Sequence, residues 1–207
     1  MLDRAATMIR LAPGALADDL LPPKENFRRF IRREPHGIVL DIPAWNYPLL
    51  IAVNVVVPAL LAGNAVLIKH ARLTPLCGDA FAAAFRKTDL PADLVASIHV
   101  SHAVIERLIG EREVDFVSFT GSVEGGREVY REASRQLLDM GLELGGKDPA
   151  LVCEDANFAF AIENTVDGAF YNAGQSCCAV ERIYVMRPIF QRFLDAAVAE
   201  VEKYKVG

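Results

Sequence analysis

The chain has 207 residues, 52% hydrophobic and 8% aromatic, enough apolar material for a sizeable core in one or two domains. Its net charge of −5, with Lys and Arg interleaved among Asp and Glu, leaves no basic surface for a phosphate backbone and excludes a nucleic-acid partner. Four cysteines (Cys77, Cys153, Cys177 and Cys178) do not space like a disulfide framework. The charged N-terminal stretch also lacks the basic-then-apolar plan of a secretory signal, so a reducing cytoplasm is the expected location.

In chain order, residues 1–34 read as a helix and a connector without a strand of their own. The pattern then alternates apolar, β-rich runs with amphipathic helices. HGIVLDI (36–42) is a strand, 47–61 a helix and NAVLIKH (64–70) a second strand, which together make a βαβ unit. A helix over 74–86, the strand LVASIHV (94–100), a short helix over 104–109, the strand VDFVSFT (114–120) and a helix over 123–134 follow. Strands separated by helices of this length imply a doubly wound parallel sheet, an α/β fold of Rossmann-like type. LLDMGLELGG, PALVC (149–153), a helix over 158–171 and ERIYVM (181–186) read as the beginning of a second α/β domain. In the last helix, 189–205, Ile189, Phe190, Phe193, Leu194, Ala197, Val198, Val201 and Tyr204 share one stripe that needs a packing partner. Residues 42–68 carry no charge over a length that could cross a bilayer. Pro43, Pro48, Pro58 and Gly63 interrupt the run, and Asn46, Asn54 and Asn64 would need partners in lipid, so no membrane span is expected.

Five stretches carry chemistry. In NAGQSCCAVERIYV two cysteines sit in a small-residue loop between a helix and a strand. A reachable thiol there acts as a nucleophile only if its pKa is lowered; otherwise both are small hydrophobes under a loop. In LELGGKDPALV, Glu143 lies inside an apolar strand. Burial would raise its pKa and suit it to accepting a proton, while the alternative is a strand-end salt bridge to Lys147 or an arginine. VSFTGSVEGGREV turns from a strand through Gly121 and Ser122 into a helix, with Gly125 and Gly126 allowing close backbone approach. Such a helix start suits a phosphate, although the same turn serves packing alone in many α/β proteins. In DIPAWNYPLL, the Asn46 amide could donate to a developing oxyanion or could simply cap the helix. Lys69 closes the strand AVLIK, where ligands of parallel sheets are commonly met, or else it is a solvated strand-end lysine.

Taken in this order, PAWNYP, LIKH, FTGSVEGG, LELGGK and GQSCC resemble the motifs of the aldehyde dehydrogenase superfamily, over roughly residues 35–207. Glu143 precedes Cys177 by 34 positions, the separation between that family's base and nucleophile. The resemblance implies oxidation of a small-molecule aldehyde to a carboxylic acid with NAD or NADP, and no metal. Cys177 would be the nucleophile, Cys178 its neighbour, Asn46 an oxyanion donor and Glu143 the activator of water. It places Ile42, Pro43, Ala44, Trp45, Lys69, Arg72, Phe119, Thr120, Gly121, Ser122, Gly126, Leu144 and Gly145 along the dinucleotide. The division it implies is an N-terminal helix and connector (1–34), a dinucleotide-binding domain (35–140) and a partial catalytic domain (141–207), homo-oligomeric if full-length.

Three departures matter. Arg72 stands where many members have a glutamate for the ribose hydroxyls, and a guanidinium favours a 2′-phosphate. HVSHAV (99–104) replaces the usual Gly-Pro-rich loop. The leading segment, the later half of the catalytic domain with its E-x-F-G-P motif, and the oligomerisation hairpin have no counterpart. A truncated, inactive fragment that binds only dinucleotide or a protein partner is therefore the alternative reading. A thioester-transferring relative is the other, and an intact Glu143 argues against it.

Overall fold

The fold, a computed structural model, describes residues 1–91 and 93–205. Val206 and Gly207, the end of the segment read as 141–207, lie outside the described residues. The chain divides into two compact units, Met1–Glu143 and Leu144–Gly207.

The first unit opens with α1 (Leu2–Ala15), β1 (Asp19–Leu20) and β2 (Phe30–Ile31). β1 and β2 pair antiparallel, so the connector expected to be strandless holds a two-residue ladder. Strands this short carry no readable alternation. Their register is instead set by charges at their ends: Arg32 grips Asp18 through two bonds of 2.9 and 2.6 Å, and Arg33 meets Asp19 at 2.8 Å. Exposed pairs like these contribute little energy each but select one pairing.

The sheet that follows has the order β5-β4-β3-β6-β7. β3 (Ile38–Ile42) runs parallel to β4 (Ala65–Ile68) on one side and to β6 (Phe116–Gly121) on the other, and β5 (Val95–Ser97) extends the β4 side in parallel. β7 (Asp139–Leu144) forms the far edge. The chain thus starts in the middle, winds outward through β4 and β5, and crosses back to β6. The carboxyl ends of β3 and β6 therefore flank the point where winding reverses, the place where such sheets bind ligands.

Alternation along β3 feeds two cores. Val39 packs with Val66, Ile68 and Val95 beneath α2 (Pro48–Leu61) and α3 (Pro75–Phe85), through Ala52, Val53, Val56 and Phe81. Leu40 and Ile42 point the other way, toward Val117 and toward Ile105, Ile109 and Ala133 of α4 (His102–Gly110) and α5 (Val123–Arg135). Helices on both faces give the Rossmann-like, doubly wound architecture. The uncharged run 42–68 resolves into the end of β3, α2 and β4, and no described helix is long and apolar enough to cross a membrane. α2 begins on Pro48, whose missing N–H costs nothing at a helix start. It ends where Asn64 donates to the Ala59 carbonyl at 3.0 Å and accepts from the Gly37 N–H at 3.0 Å.

In the second unit β8 (Asp148–Val152) pairs parallel with β9 (Val180–Val185), joined by α6 (Phe158–Phe170) and followed by α7 (Phe190–Val201). Its core gathers Val152, Ile162, Val166 and Phe193. The last helix's stripe is covered along one row only. Ile189, Phe193, Ala197 and Val201 pack inward, whereas Phe190, Leu194 and Val198 remain exposed.

Candidate functional site

In the first unit the candidate residues gather at the carboxyl end of the sheet. β3 stops at Ile42, Pro43 is buried, and the loop continues through Ala44, exposed Trp45 and half-buried Asn46. The N-cap position of α2 is Tyr47, one residue after Asn46, and Tyr47 makes no side-chain cap bond. On β6, Phe119 and Thr120 lead to Gly121, and Ser122 caps α5 by accepting the Gly125 N–H at 3.1 Å. A Cβ on Gly121 would lie 2.7 Å from the Phe119 ring, and one on Gly125 2.9 Å. These two glycines make room for the Phe119 ring at the start of α5, and Gly126 is buried.

Between α4 and α5, on the face that Leu40 and Ile42 supply, an open cleft is lined by Ile42, Lys69, Ile105, Ile109, Phe119 and Val129. Its remaining walls are His102, Glu106, Gly125, Glu128 and Glu132. Three of the expected cofactor residues, Ile42, Lys69 and Phe119, thus share one cavity. Lys69 is half-buried rather than solvated, and burial holds its ammonium below the usual lysine pKa. Arg72 is exposed on the turn that follows, closed by the Thr74 N–H donating to the Ala71 carbonyl at 3.0 Å.

Of the cleft-lining residues on the two helices, Ile105, Glu106, Ile109, Glu128, Val129 and Glu132 were not singled out from the sequence. His102, Ile105, Glu106 and Ile109 on α4 repeat the spacing of Gly125, Glu128, Val129 and Glu132 on α5. That shared interval places each set on one helix face, and it is the signal that could have found them.

Glu143 corrects an expectation. It lies in β7 but is exposed, because the edge strand leaves that face uncovered, so the burial meant to make it a strong base is not present in this chain. The alternative partner is taken as well: Lys147 pairs with Glu181 of β9. Leu144 ends β7 half-buried, and Gly145 is exposed beyond it.

Within the second unit, Cys177 and Cys178 are exposed in the loop between α6 and β9. The chain reaches them through a 3₁₀ turn, Tyr171–Gly174, in which Asn172, Ala173 and Gly174 have φ of 51°, 57° and 73°. Left-handed backbone at Ala173 is strained and reverses the chain tightly before the thiol. Cys178 Sγ lies 3.2 Å from Ser176 Oγ. The Cys177 thiol is held above its ordinary pKa, first by desolvation and then by the neighbouring Cys178, so this loop alone does not supply the lowering a nucleophile needs. Its backbone is tightly placed: a Cβ on Gly146 would stand 2.9 Å from the Cys177 carbonyl oxygen.

The profile of the Aldehyde dehydrogenase family matches residues 1–207. This chain belongs to that family. It is 41% identical over 177 residues to a 4,4'-diapolycopene aldehyde oxidase of Methylomonas sp, covering 86% of this chain and 33% of that protein. The fold superposes on betaine aldehyde dehydrogenase from Staphylococcus aureus in complex with NAD+ with a TM-score of 0.90 at 31% identity, over 99% of this chain and 42% of that one. It also superposes on succinic semialdehyde dehydrogenase from Streptococcus pyogenes in complex with NADP+ with a TM-score of 0.92 at 25% identity, over 98% and 44%. The chain therefore spans about a third of the curated relative and less than half of the two solved structures.

Membership in the family makes the Gly146 contact testable. Gly146→Ala is expected to push the Cys177 carbonyl by a few tenths of an ångström, since a backbone atom cannot rotate away as a side-chain tip can. A shift on that scale alters the solvent cover of the Cys177 thiol, and its alkylation rate is expected to change by about twofold or more. Iodoacetamide labelling of Cys177, read by peptide mass, measures it; a rate equal to that of the unsubstituted chain would show that the turn yields instead.

Proposed function

We propose that this chain carries the dinucleotide site and the nucleophile of an NAD(P)-dependent enzyme that oxidises an aldehyde to a carboxylic acid through a cysteine thioester. The observation that supports it most is the cleft at the winding reversal, which gathers Ile42, Lys69 and Phe119 beside the Ser122-capped start of α5. These residues suit a dinucleotide. Gly121 and Gly125 make room for the Phe119 ring beside the helix start, where N–H groups favour phosphate, and the cleft between α4 and α5 offers the apolar surface of Ile42, Ile105, Ile109 and Val129 to a flat ring. A nicotinamide dinucleotide bound there would supply the hydride acceptor.

The remaining steps belong to the protein's own groups. The Cys177 thiolate forms the carbon–sulfur bond to the aldehyde carbonyl, and the oxygen that becomes negative accepts from the Asn46 amide. Loss of the aldehyde hydrogen with its electron pair leaves an acyl thioester on Cys177. Glu143 takes a proton from water, whose oxygen displaces the sulfur and releases the acid. Glu143 is exposed in this chain and needs further covering surface to become a strong base, whereas the Cys177 thiol, already raised by desolvation, needs nearby donors or positive charge. The substrate is a small-molecule aldehyde, and the expected setting is cytoplasmic, homo-oligomeric for the full-length protein.

Titration of the chain with NAD and NADP, followed through quenching of Trp45, its single tryptophan, tests the binding half; absence of saturable quenching by both overturns it. Arg72 supports NADP as the better ligand, against the three carboxylates of the cleft, of which Glu132 is already paired with Arg135 at 2.7 Å. Arg72→Glu is expected to weaken NADP binding by about tenfold or more while leaving NAD within about twofold, the size of one charge-assisted bond to phosphate. Equal loss for both dinucleotides would place Arg72 away from the 2′ position.

A further inference from the structure

His70 is not used by the proposed chemistry, yet it is 5% exposed and makes three polar contacts. Its Nε2 lies 3.1 Å from the Pro48 carbonyl oxygen, an acceptor only, so Nε2 carries the proton. Nδ1 then accepts from the Ala71 N–H at 2.9 Å and from the Thr74 hydroxyl at 3.0 Å. The ring is thereby fixed as one neutral tautomer. Burial holds its pKa below the ordinary histidine value, with Lys69 acting in the same direction and the bond to Pro48 against it. The first turns of α2 and α3, PLLI and PLCG, bring no charge to the ring.

The position of these contacts matters more than their number. Pro48 opens α2 three residues after Trp45 and two after Asn46. Ala71 and Thr74 belong to the turn that carries Lys69 and Arg72. Consecutive residues after β4 diverge: Lys69 lines the cleft between α4 and α5, while His70 lies beneath α3, where a Cβ on Gly78 would stand 3.5 Å from the His70 Cβ.

We propose that His70 is a positioning residue that locks the Trp45–Asn46 loop to the Lys69–Thr74 turn, so that order in the first and ligand affinity at the second are coupled through one imidazole. The link to affinity rests on the dinucleotide reading above; the link to loop order does not. An apolar residue could fill the space but could not donate to Pro48 while accepting from Ala71 and Thr74. Histidine does both because its two ring nitrogens differ.

The single tryptophan makes the loop directly observable. In the ligand-free chain, His70→Ala and His70→Asn are expected to raise acrylamide quenching of Trp45 about twofold, because both lose the donor to Pro48 and let the loop open locally. His70→Gln, whose amide can still donate there, is expected to keep the unsubstituted value. In the same chains NADP affinity is expected to fall about tenfold for His70→Ala and to recover to within about threefold for His70→Gln, the scale of about one net hydrogen bond. Should His70→Ala fail to fold, Asn against Gln still separates the two halves of the brace. Quenching of Trp45 that is unchanged in the Asn variant, or raised equally in the Gln variant, overturns the proposal. If the unsubstituted chain binds neither NAD nor NADP, the functional reading fails while the ligand-free quenching still decides on the brace.

Discussion

Cys177→Ala is expected to abolish aldehyde-dependent formation of NAD(P)H by the native polypeptide, a loss of about three orders of magnitude or more, whereas Cys178→Ala is expected to retain most of it. Two exposed adjacent thiols make the assignment a real choice, and their surroundings differ. The Cys177 backbone is held where Gly146 leaves room for its carbonyl oxygen, while the Cys178 sulfur is engaged with the Ser176 hydroxyl at 3.2 Å. A nucleophile needs a fixed position, which favours Cys177. The raised Cys177 pKa gives a second reading of the same choice. A thiol held above its ordinary value has less thiolate at neutral pH, so its alkylation should keep rising with pH beyond the range where a free cysteine has levelled off. Cys178 contributes to that elevation, so Cys178→Ala should speed alkylation of Cys177 at neutral pH. If Cys178→Ala is instead the inactive variant, the nucleophile is the second thiol of the pair.

The two-faced sheet was legible because β3 is buried on both sides. Val39 on one face and Leu40 and Ile42 on the other make a run that is apolar apart from Asp41, and helical spacing on either side of it identifies the crossovers. The β1–β2 pair was not legible, since two residues establish no period and its register is set by Asp18 and Asp19 meeting Arg32 and Arg33. Motif order named Ile42, Lys69 and Phe119, which the fold brings to one cleft, but could not report exposure. Glu143, read as buried from its apolar neighbours, lies on an edge strand whose outer face this chain leaves open. His70 read only as the residue after a strand-end lysine. Its role depends on Pro48, 22 positions away, a contact made by folding and invisible to local pattern.

Replacing Asp41 is expected to stabilise the chain at neutral pH, against the usual outcome for a buried residue. Asp41 lies in the middle strand, in register with Ile68 and Ser118, on the face packed under α2 and α3. It is 0% exposed, and neither carboxyl oxygen has a hydrogen-bond partner. Burial alone raises its pKa well above the ordinary carboxylate value. The folded chain thus keeps a proton that the unfolded chain releases. Stability is therefore full below the unfolded pKa near 3.8 and is lost as pH rises toward the folded value. Asp41→Asn keeps the shape and removes the titration, so its melting temperature should exceed that of the unsubstituted chain at pH 8 and converge with it near pH 4. Asp41→Val also removes the unpartnered oxygens and should add about 1–3 kcal/mol, since apolar replacement of an unsatisfied group recovers its desolvation. For a chain of this size that corresponds to about 2–4 °C per kcal/mol in thermal melts. An Asp41→Asn variant that keeps the same pH slope, together with a destabilised Asp41→Val, would mean that the carboxyl finds a partner in solution. Ser118, directly across the β3–β6 register, would then be the group to replace next, because a hydroxyl bond to Asp41 would make the single losses equal the loss of the pair.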